Sequence, residues 1–319
     1  MSETVVPPTV GPPGAGEVTL ETGAEGFGAA ESQASALGIR VQTQYGDVWR
    51  RFLRNKLAVV GLVMVALVFL TAVAAPVIAP HDPKVQDMSN TLAPPSSSHL
   101  LGTDENGRDQ LSRVIYGSRI AVIVGLSAIL LALVIGVVLG SLSGYLGGAW
   151  DAVIMRVADV FFAFPLLIGA IVIVLVVGRG LTPVVLALGL FSWATVARLL
   201  RSSILSVRES EYVEAARSLG AGKLRIVTRH VLPNSMAPVL VFAMVSVATA
   251  IVAEASLSYL GVGLPPDVPD WGNMIAAGQK FFGFKDFLWF FPSMAVVFTV
   301  LGFVFVGDGL RDALDPRLR

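Results

Sequence analysis

Few residues in this chain are equipped for chemistry. It has no cysteine, which removes disulfides, thiolate metal sites and cysteine nucleophiles together. Its three histidines, His81, His99 and His230, have a spacing that matches no helical metal-binding pair, so no metal site is expected and a metalloenzyme is disfavoured. Asp104, Asn106 and Asp109 resemble the start of a calcium loop, but Gly107 falls too early for the glycine such a loop needs at its sixth position; a solvated turn is expected instead. Gly222-Lys223 is followed by Leu224, and Arg217 stands where a Gly-x-x-x-x-Gly-Lys-Ser/Thr phosphate loop needs its first glycine, so ATP hydrolysis by that route is not expected.

Two acids stand against long apolar stretches: Glu254 interrupts one, and Asp159 lies at the cytoplasmic edge of another. An acid in such a place is a functional candidate, because leaving it in hydrocarbon costs free energy. Glu254 reads either as a gating group or as a helix-end carboxylate that reaches the headgroups or a serine at Ser256 or Ser258. Asp159 lies one helical turn from Arg156 and reads as its partner. No stretch offers a nucleophile together with a base, so a membrane-embedded enzyme is not expected.

The segment richest in information runs Glu209-Ser-Glu-Tyr-Val-Glu-Ala-Ala-Arg-Ser-Leu-Gly220 and continues Ala221-Gly-Lys-Leu-Arg-Ile-Val-Thr-Arg-His-Val-Leu-Pro-Asn234. Tyr212, Ala216 and Leu219 recur at helical spacing, Gly220 suits the left-handed residue that closes a helix, and a second short helix is expected up to Pro233. A helix, a glycine turn and a helix between two apolar stretches make a knob with small and charged residues outward. On the residues alone it fits either a surface for a soluble partner or an amphipathic linker lying on an anionic leaflet, although Glu209, Glu211 and Glu214 disfavour the second. A DNA-reading helix-turn-helix would need its second helix free to enter a groove, and no nucleic acid partner is expected.

The elements that carry these residues belong in a bilayer. Apolar residues are 54% of the 319 positions and charged ones 14%, where soluble domains carry about 25% charged residues. Six stretches approach the ~20 residues that cross ~30 Å of hydrocarbon. They are Leu57 to Ala79, Ile120 to Leu142, Val160 to Val177, Leu181 to Ala197, Ala237 to Leu260 and Phe287 to Val306. Sixteen of the 23 Lys and Arg fall on one side of that arrangement, which places both termini and the knob in the cytoplasm.

The organisation read this way is a disordered tail over 1–46 with no signal-peptide core, then an amphipathic interfacial helix over 47–56. A first crossing over 57–79 and an external loop over 80–118 follow. A five-helix core over 119–307 contains the cytoplasmic loop 201–235, and a C-terminal tail covers 308–319. In the second crossing Gly136, Gly140 and Gly144 recur every four residues and form a groove where another helix, of this chain or of a partner, approaches closely. In the external stretch 264–271, Asp270 is placed to cap a short helix that contacts a binding protein or simply re-enters the core.

Glu214-Ala215-Ala216, Gly220 and then Leu232-Pro233-Asn234 resemble the EAA loop of ABC importer permeases. His230 in His-Val-Leu-Pro-Asn is similar to the form found in the dipeptide, oligopeptide and nickel permease family. Leu101-Gly-Thr-Asp104, Gly107-Arg-Asp109, Glu254-Ala-Ser-Leu-Ser-Tyr-Leu-Gly261 and Gly307-Asp-Gly-Leu-Arg-Asp-Ala-Leu-Asp-Pro-Arg317 resemble that family in order and spacing, over about Trp49 to Arg319.

The resemblance implies an all-α polytopic fold of six transmembrane helices, the type I importer permease fold, in a bacterial inner membrane. It implies half of a translocation pathway for peptides, or for nickel or other small solutes. The implied partners are a second homologous permease, two ATP-binding subunits and an external substrate-binding protein. ATP and Mg would be used by the ATPase subunits, with no cofactor bound by this chain. Glu214, Ala215, Ala216, Gly220, Leu232, Pro233 and Asn234 would then dock the ATPase. The competing reading is an ion-coupled secondary transporter, for which only Glu254 and Asp159 offer ionisable groups.

Overall fold

The computed structural model describes residues 44–314; most of the tail expected over 1–46, and residues 315–319, lie outside them. Among the described residues the chain is helical, with a single isolated bridge between Thr103 and Asp109. Helix α1 (Gln44–Arg54) is followed at once by α2 (Lys56–Ile78). Asn55 separates them: its side chain accepts from the N–H groups of Leu57 and Ala58, satisfying donors that a helix start leaves open, and donates to Asp312 near the other terminus.

Helix α3 (Gln110–Leu146) has 37 residues and is about 55 Å long, so it outruns the hydrocarbon at both ends. It starts nine residues before the boundary expected between the external loop and the core. The reason is Asp109, whose side chain accepts from Ser112 N–H and caps the helix while the chain is still polar. Helix α12 (Phe287–Leu314) likewise runs on through most of the stretch expected to be a tail.

Among the described residues five helices are long and apolar enough to cross a membrane: α2, α3, α6 (Leu181–Val207), α10 (Ala237–Tyr259) and α12. The stretch Val160 to Val177, expected as one continuous crossing, is instead divided between α4 (Gly148–Ala163) and α5 (Leu166–Val177), which meet at 91°. Counted as one span, that bent pair makes the sixth. Phe164 and Pro165 cause the bend. Both are extended, because the proline ring disfavours the helical conformation in the residue before it, and Pro165 has no N–H to continue the ladder. Alone, α5 is only about 18 Å long.

Lipid provides no hydrophobic drive for helices to associate, so close packing decides which faces meet. On α3, Gly136, Gly140 and Gly144 are buried against α6 of the same chain: a Cβ at Gly136 would sit 2.6 Å from Val196 Cβ, one at Gly140 2.8 Å from the Ala197 carbonyl oxygen, and one at Gly144 2.9 Å from Ile204. The groove is therefore filled from within. A second glycine seam joins α2 and α12, where Gly61 lies against Phe305 and the Gly302 carbonyl, and Gly309 against Ala58. The outward faces of α2 and α5, with Leu70, Val73, Val77 and Val176, are exposed and suit lipid.

The end of the segment between α2 and α3, from Gly102 into the start of α3, is a buried polar clasp, which corrects the expectation of a solvated turn. Asp104 and Asp109 are almost fully covered. Asp104 accepts from Asn106 N–H, from Arg108 N–H and from the Arg108 Nε–H at 2.7 Å, and Arg113 lies 3.6 Å from it. Arg113 also donates to Pro83 O and Gln110 to Leu288 O, tying the clasp to α12. The acidic spacing that hinted at calcium is spent on the protein's own donors.

Gly140→Val tests the α3–α6 contact, since its clash is with Ala197 backbone that cannot turn aside. It should destabilise the purified chain by about 1–3 kcal/mol, whereas Gly222→Ala, at a position with open space and negative φ, should stay within about 0.5 kcal/mol. Thermal unfolding in detergent reads both. Equal melting of Gly140→Val and the parent would mean that the two helices do not pack through this seam.

Candidate functional site

At the end of α6 the chain leaves the bundle and builds the knob. Arg208 ends α6, Ser210 is extended and turns its hydroxyl to Val207 O, and α7 (Glu211–Ser218) begins. Glu211 and Glu214 lie in its first turn and Arg217 in its last, each favourable to the helix dipole. The helix closes through a Schellman pair, Ala221 N–H to Ala216 O at 3.1 Å and Gly220 N–H to Arg217 O at 3.0 Å. That closure requires Gly220 at φ +81°, a conformation any side chain would strain.

The return strand of the knob is one bent helical run. Helix α8 (Lys223–Ile226) widens into a π turn at Val227–Val231 and passes into α9 (Leu232–Ser235). Pro233 accounts for the widening: it has no N–H for the turn before it and its ring crowds the carbonyl four residues back. Asn234 relieves part of this by donating its side-chain amide to His230 O at 2.6 Å.

Three side chains hold the knob to the bundle. Val213, Ile226 and Val231 are buried together with Leu200 and Ile204 of α6 and Val239 of α10. The opposite face is open. Glu214 and Ala215 are exposed with Ala216 partly covered, Pro233 and Asn234 are exposed, and Leu232 is half-buried beside the apolar anchor. Leu219 is 88% exposed and Leu224 78%, and Tyr212 is exposed too; the knob thus presents apolar residues in a sequence that also exposes Glu211, Glu214, Arg217, Lys223 and Arg225. The structure thus brings Glu214, Ala215, Ala216 and Gly220 onto one helix and its turn, with Leu232, Pro233 and Asn234 on the neighbouring run.

The base of the knob is fastened to α3 and α4. Arg201 grips Asp151 with two bonds, 2.5 Å from Nε to Oδ1 and 2.6 Å from Nη2 to Oδ2, and Ser143 donates to the same carboxylate. Arg208 donates to the Gly144 carbonyl at 3.1 Å. The glycine seam over Gly136, Gly140 and Gly144 therefore runs directly into this anchor. Sequence reading missed Val213, Ile226 and Val231, and it missed the Arg201–Asp151 pair. A weak signal existed for the first three, as the apolar positions recurring between charged ones. Asp159, read as the partner of Arg156, bonds instead to Arg198 at 2.6 Å across to α6.

Glu254 stands apart from the knob, toward the other end of α10. Only 2% exposed, it does not reach a headgroup layer; it accepts from the Ser258 hydroxyl at 3.0 Å, and Ser258 in turn accepts from Leu264 N–H. The carboxyl of Asp270 also lies within hydrogen-bonding reach of Glu254. Asp270 caps α11 (Trp271–Gln279) by accepting from Asn273 N–H at 3.0 Å. Gly272 lies on the Ala255 carbonyl and Trp271 donates to Val114 O at 2.9 Å, so this short helix is pressed against α10 and α3. Burial pushes the Asp270 carboxyl above its ordinary value, with the Asn273 N–H and the bond to Glu254 pulling partly back. Two carboxyl groups bond to each other only with a proton between them.

The sign of the pH effect follows. A carboxyl raised in the fold favours the fold while protonated, so its contribution is full below the ordinary value of 3.8 and is lost as pH rises through the raised one. Melting temperature should therefore fall as pH rises above the ordinary carboxylate range. Asp270→Asn keeps an acceptor for Asn273 and offers Glu254 an amide donor, and should flatten that slope. Identical slopes in the two proteins would dismiss the shared proton.

Comparison with known sequences follows the same outline. The family described as binding-protein-dependent transport system inner membrane component matches residues 136–319, and the N-terminal TM domain of oligopeptide transport permease C matches residues 43–95. The chain is 41% identical over 273 residues to the oligopeptide transport system permease protein OppC of Bacillus subtilis (strain 168), covering 86% of this chain and 90% of that one. It is 41% identical over 280 residues to the glutathione transport system permease protein GsiD of Pectobacterium atrosepticum, covering 88% and 93%. It is 38% identical over 273 residues to the dipeptide transport system permease protein DppC of Alkalihalophilus pseudofirmus, covering 86% and 90%.

Proposed function

Because this chain belongs to the family of binding-protein-dependent transport system inner membrane components, multi-pass permease subunits of ABC importers, we propose that it forms half of a peptide-conducting pathway driven through its knob. The cargo follows from the relatives' names: oligopeptide, dipeptide and glutathione share the chemistry of a short peptide. The other half of the pathway is a second homologous permease. Two ATP-binding subunits hold ATP and Mg, and an external binding protein delivers the cargo. Both termini and residues 201–235 lie in the cytoplasm, a reading supported by the sixteen Lys and Arg gathered on that side. The chain itself hydrolyses no ATP, since Gly222-Lys223 lacks the remainder of a phosphate loop.

The observation that carries this reading is the knob: exposed Leu219, Leu224 and Tyr212 on a base locked to α3 and α6. Exposed apolar side chains among charged ones suit a docking surface. Glu214, Ala215 and Ala216 form the face where small side chains allow close approach, Gly220 sets its angle, and Leu232, Pro233 and Asn234 brace it from behind. Movement of the ATPase subunits reaches the bundle as rigid rocking of α6 with α3.

Gly220→Val separates this role from folding. A Cβ there meets no atom within 4 Å, so the substitution acts only by straining the left-handed turn, by about 1–2 kcal/mol, and tilts the docking face. Reconstituted with its partner subunits in proteoliposomes, the variant should insert normally and lose at least about tenfold in ATP-driven peptide uptake, a change of about 1.4 kcal/mol. Unchanged uptake would remove the knob from the drive.

A further inference from the structure

We propose that His81, His99 and Asp109 form a binding site for a borderline transition-metal dication of the zinc, cobalt or nickel type. Helical spacing of the histidines gives no metal pair, but two of the three do not lie on helices. His81 follows the end of α2, His99 lies in the connecting segment, and Asp109 caps α3; the clasp folds them onto one another.

The geometry has the dimensions of a coordination site. His99 Nδ1 lies 2.9 Å and His81 Nδ1 3.6 Å from the same oxygen, Oδ1 of Asp109, and the three ligand atoms fall within 4.8 Å of one another. A tetrahedral ion with bonds of about 2.0–2.1 Å needs its ligand atoms about 3.3 Å apart, and the two measured edges straddle that length. The rings of His81 and His99 face each other obliquely, with centroids 4.8 Å apart and planes 31° apart, and both present Nδ1 to Asp109 Oδ1.

Each of the three residues is held by a further contact, the aspartate through its side chain and the histidines through their backbone. Asp109 Oδ2 is occupied by Ser112 N–H at 2.8 Å, which leaves Oδ1 for the site. The Ser112 hydroxyl accepts from His81 N–H at 3.0 Å. His99 is fixed through its backbone, with N–H to the Ser96 hydroxyl at 3.1 Å and its carbonyl accepting from Ser96 and Gly102. The Arg108 and Arg113 guanidiniums nearby are turned to Asp104. Two imidazoles and one carboxylate suit zinc, cobalt or nickel rather than calcium or magnesium, which prefer oxygen shells. His81 is 43% exposed, so water completes the shell on that side. A bound ion would staple the end of α2 to the start of α3, adding a third fastening to the clasp.

The test is a Co2+ titration of the full chain in lipid nanodiscs, read by visible absorption, with Zn2+ as competitor. The expected result is one equivalent bound, with an intense d–d band of low coordination number that Zn2+ abolishes. His81→Ala and His99→Ala should each weaken binding at least about tenfold, while His230→Ala, on the knob, should leave it unchanged. Asp109→Asn is avoided because Asp109 also caps α3. A wild-type spectrum no different from aqueous cobalt, or a His81→Ala/His99→Ala double variant that titrates like the parent, overturns the site and leaves a His–Asp hydrogen-bond cluster only. The family reading does not depend on either outcome.

Discussion

Everything the knob can do depends on how closely α3 and α6 approach. In a lipid environment the exposed side chains of two helices gain nothing by meeting, so association rests on van der Waals contact and on buried bonds. Gly136, Gly140 and Gly144 let the α6 backbone come within reach of α3 over two helical turns. The Arg201–Asp151 pair and the Arg208 bond to Gly144 then lock the end of that contact. The knob follows α6 closely, as only the three residues Arg208 to Ser210 separate α6 from α7. A push on the knob is therefore a push on two helices at once.

The other end of the bundle is secured by different chemistry. There the fastenings are buried polar groups: Asp104 with Arg108 and Arg113, Gln110 on the Leu288 carbonyl, Glu254 with Ser258 and Asp270, and Trp271 on the Val114 carbonyl. Such groups are costly to leave unpaired, so each bond fixes a single arrangement more than it adds net stability. The segments between helices at that end become extensions of the fold and cease to be loose loops. Their order contrasts with the knob, where apolar anchors hold one face and the other faces solvent.

Residues differ in how far they declare their role in sequence. Gly220 was readable because a left-handed helix closure has a local signature, and Asp270 because capping is local too. The glycine stripe of α3 was readable as a groove, although its occupant, α6, is fixed by tertiary packing that spacing does not encode. The break at Phe164-Pro165 was hidden by an unbroken apolar run: hydropathy counts residues and is blind to one missing N–H. The clasp was misread because Asp104 and Asp109 look solvated until Arg108, Arg113 and Ser112 are folded over them. Glu254 was visible as an anomaly, yet its partner Asp270 lies beyond a loop that no periodicity bridges.

The chain's return from the knob to the bundle is where bending would be least resisted. The two apolar clusters do not separate whole helices: one joins α2, α5, α10, α11 and α12 with the N-terminal parts of α3 and α6, the other joins α4 and the knob with the C-terminal parts of α3 and α6 and with Val239 of α10, so α3 and α6 run through both and the change falls between Ile129 and Ala132 on α3. The chain passes from the knob back to the first cluster through Leu232 to Val239, where Pro233 and Pro238 each remove a backbone donor. The Asn234 amide restores one bond there, to His230 O, and Met236 joins α9 to α10 without any side-chain cap. A helix bends where its ladder is thinnest. Bending between the knob and α10 is therefore least resisted at the α9–α10 junction, whereas a bend within α6 would disturb the glycine seam that joins it to α3.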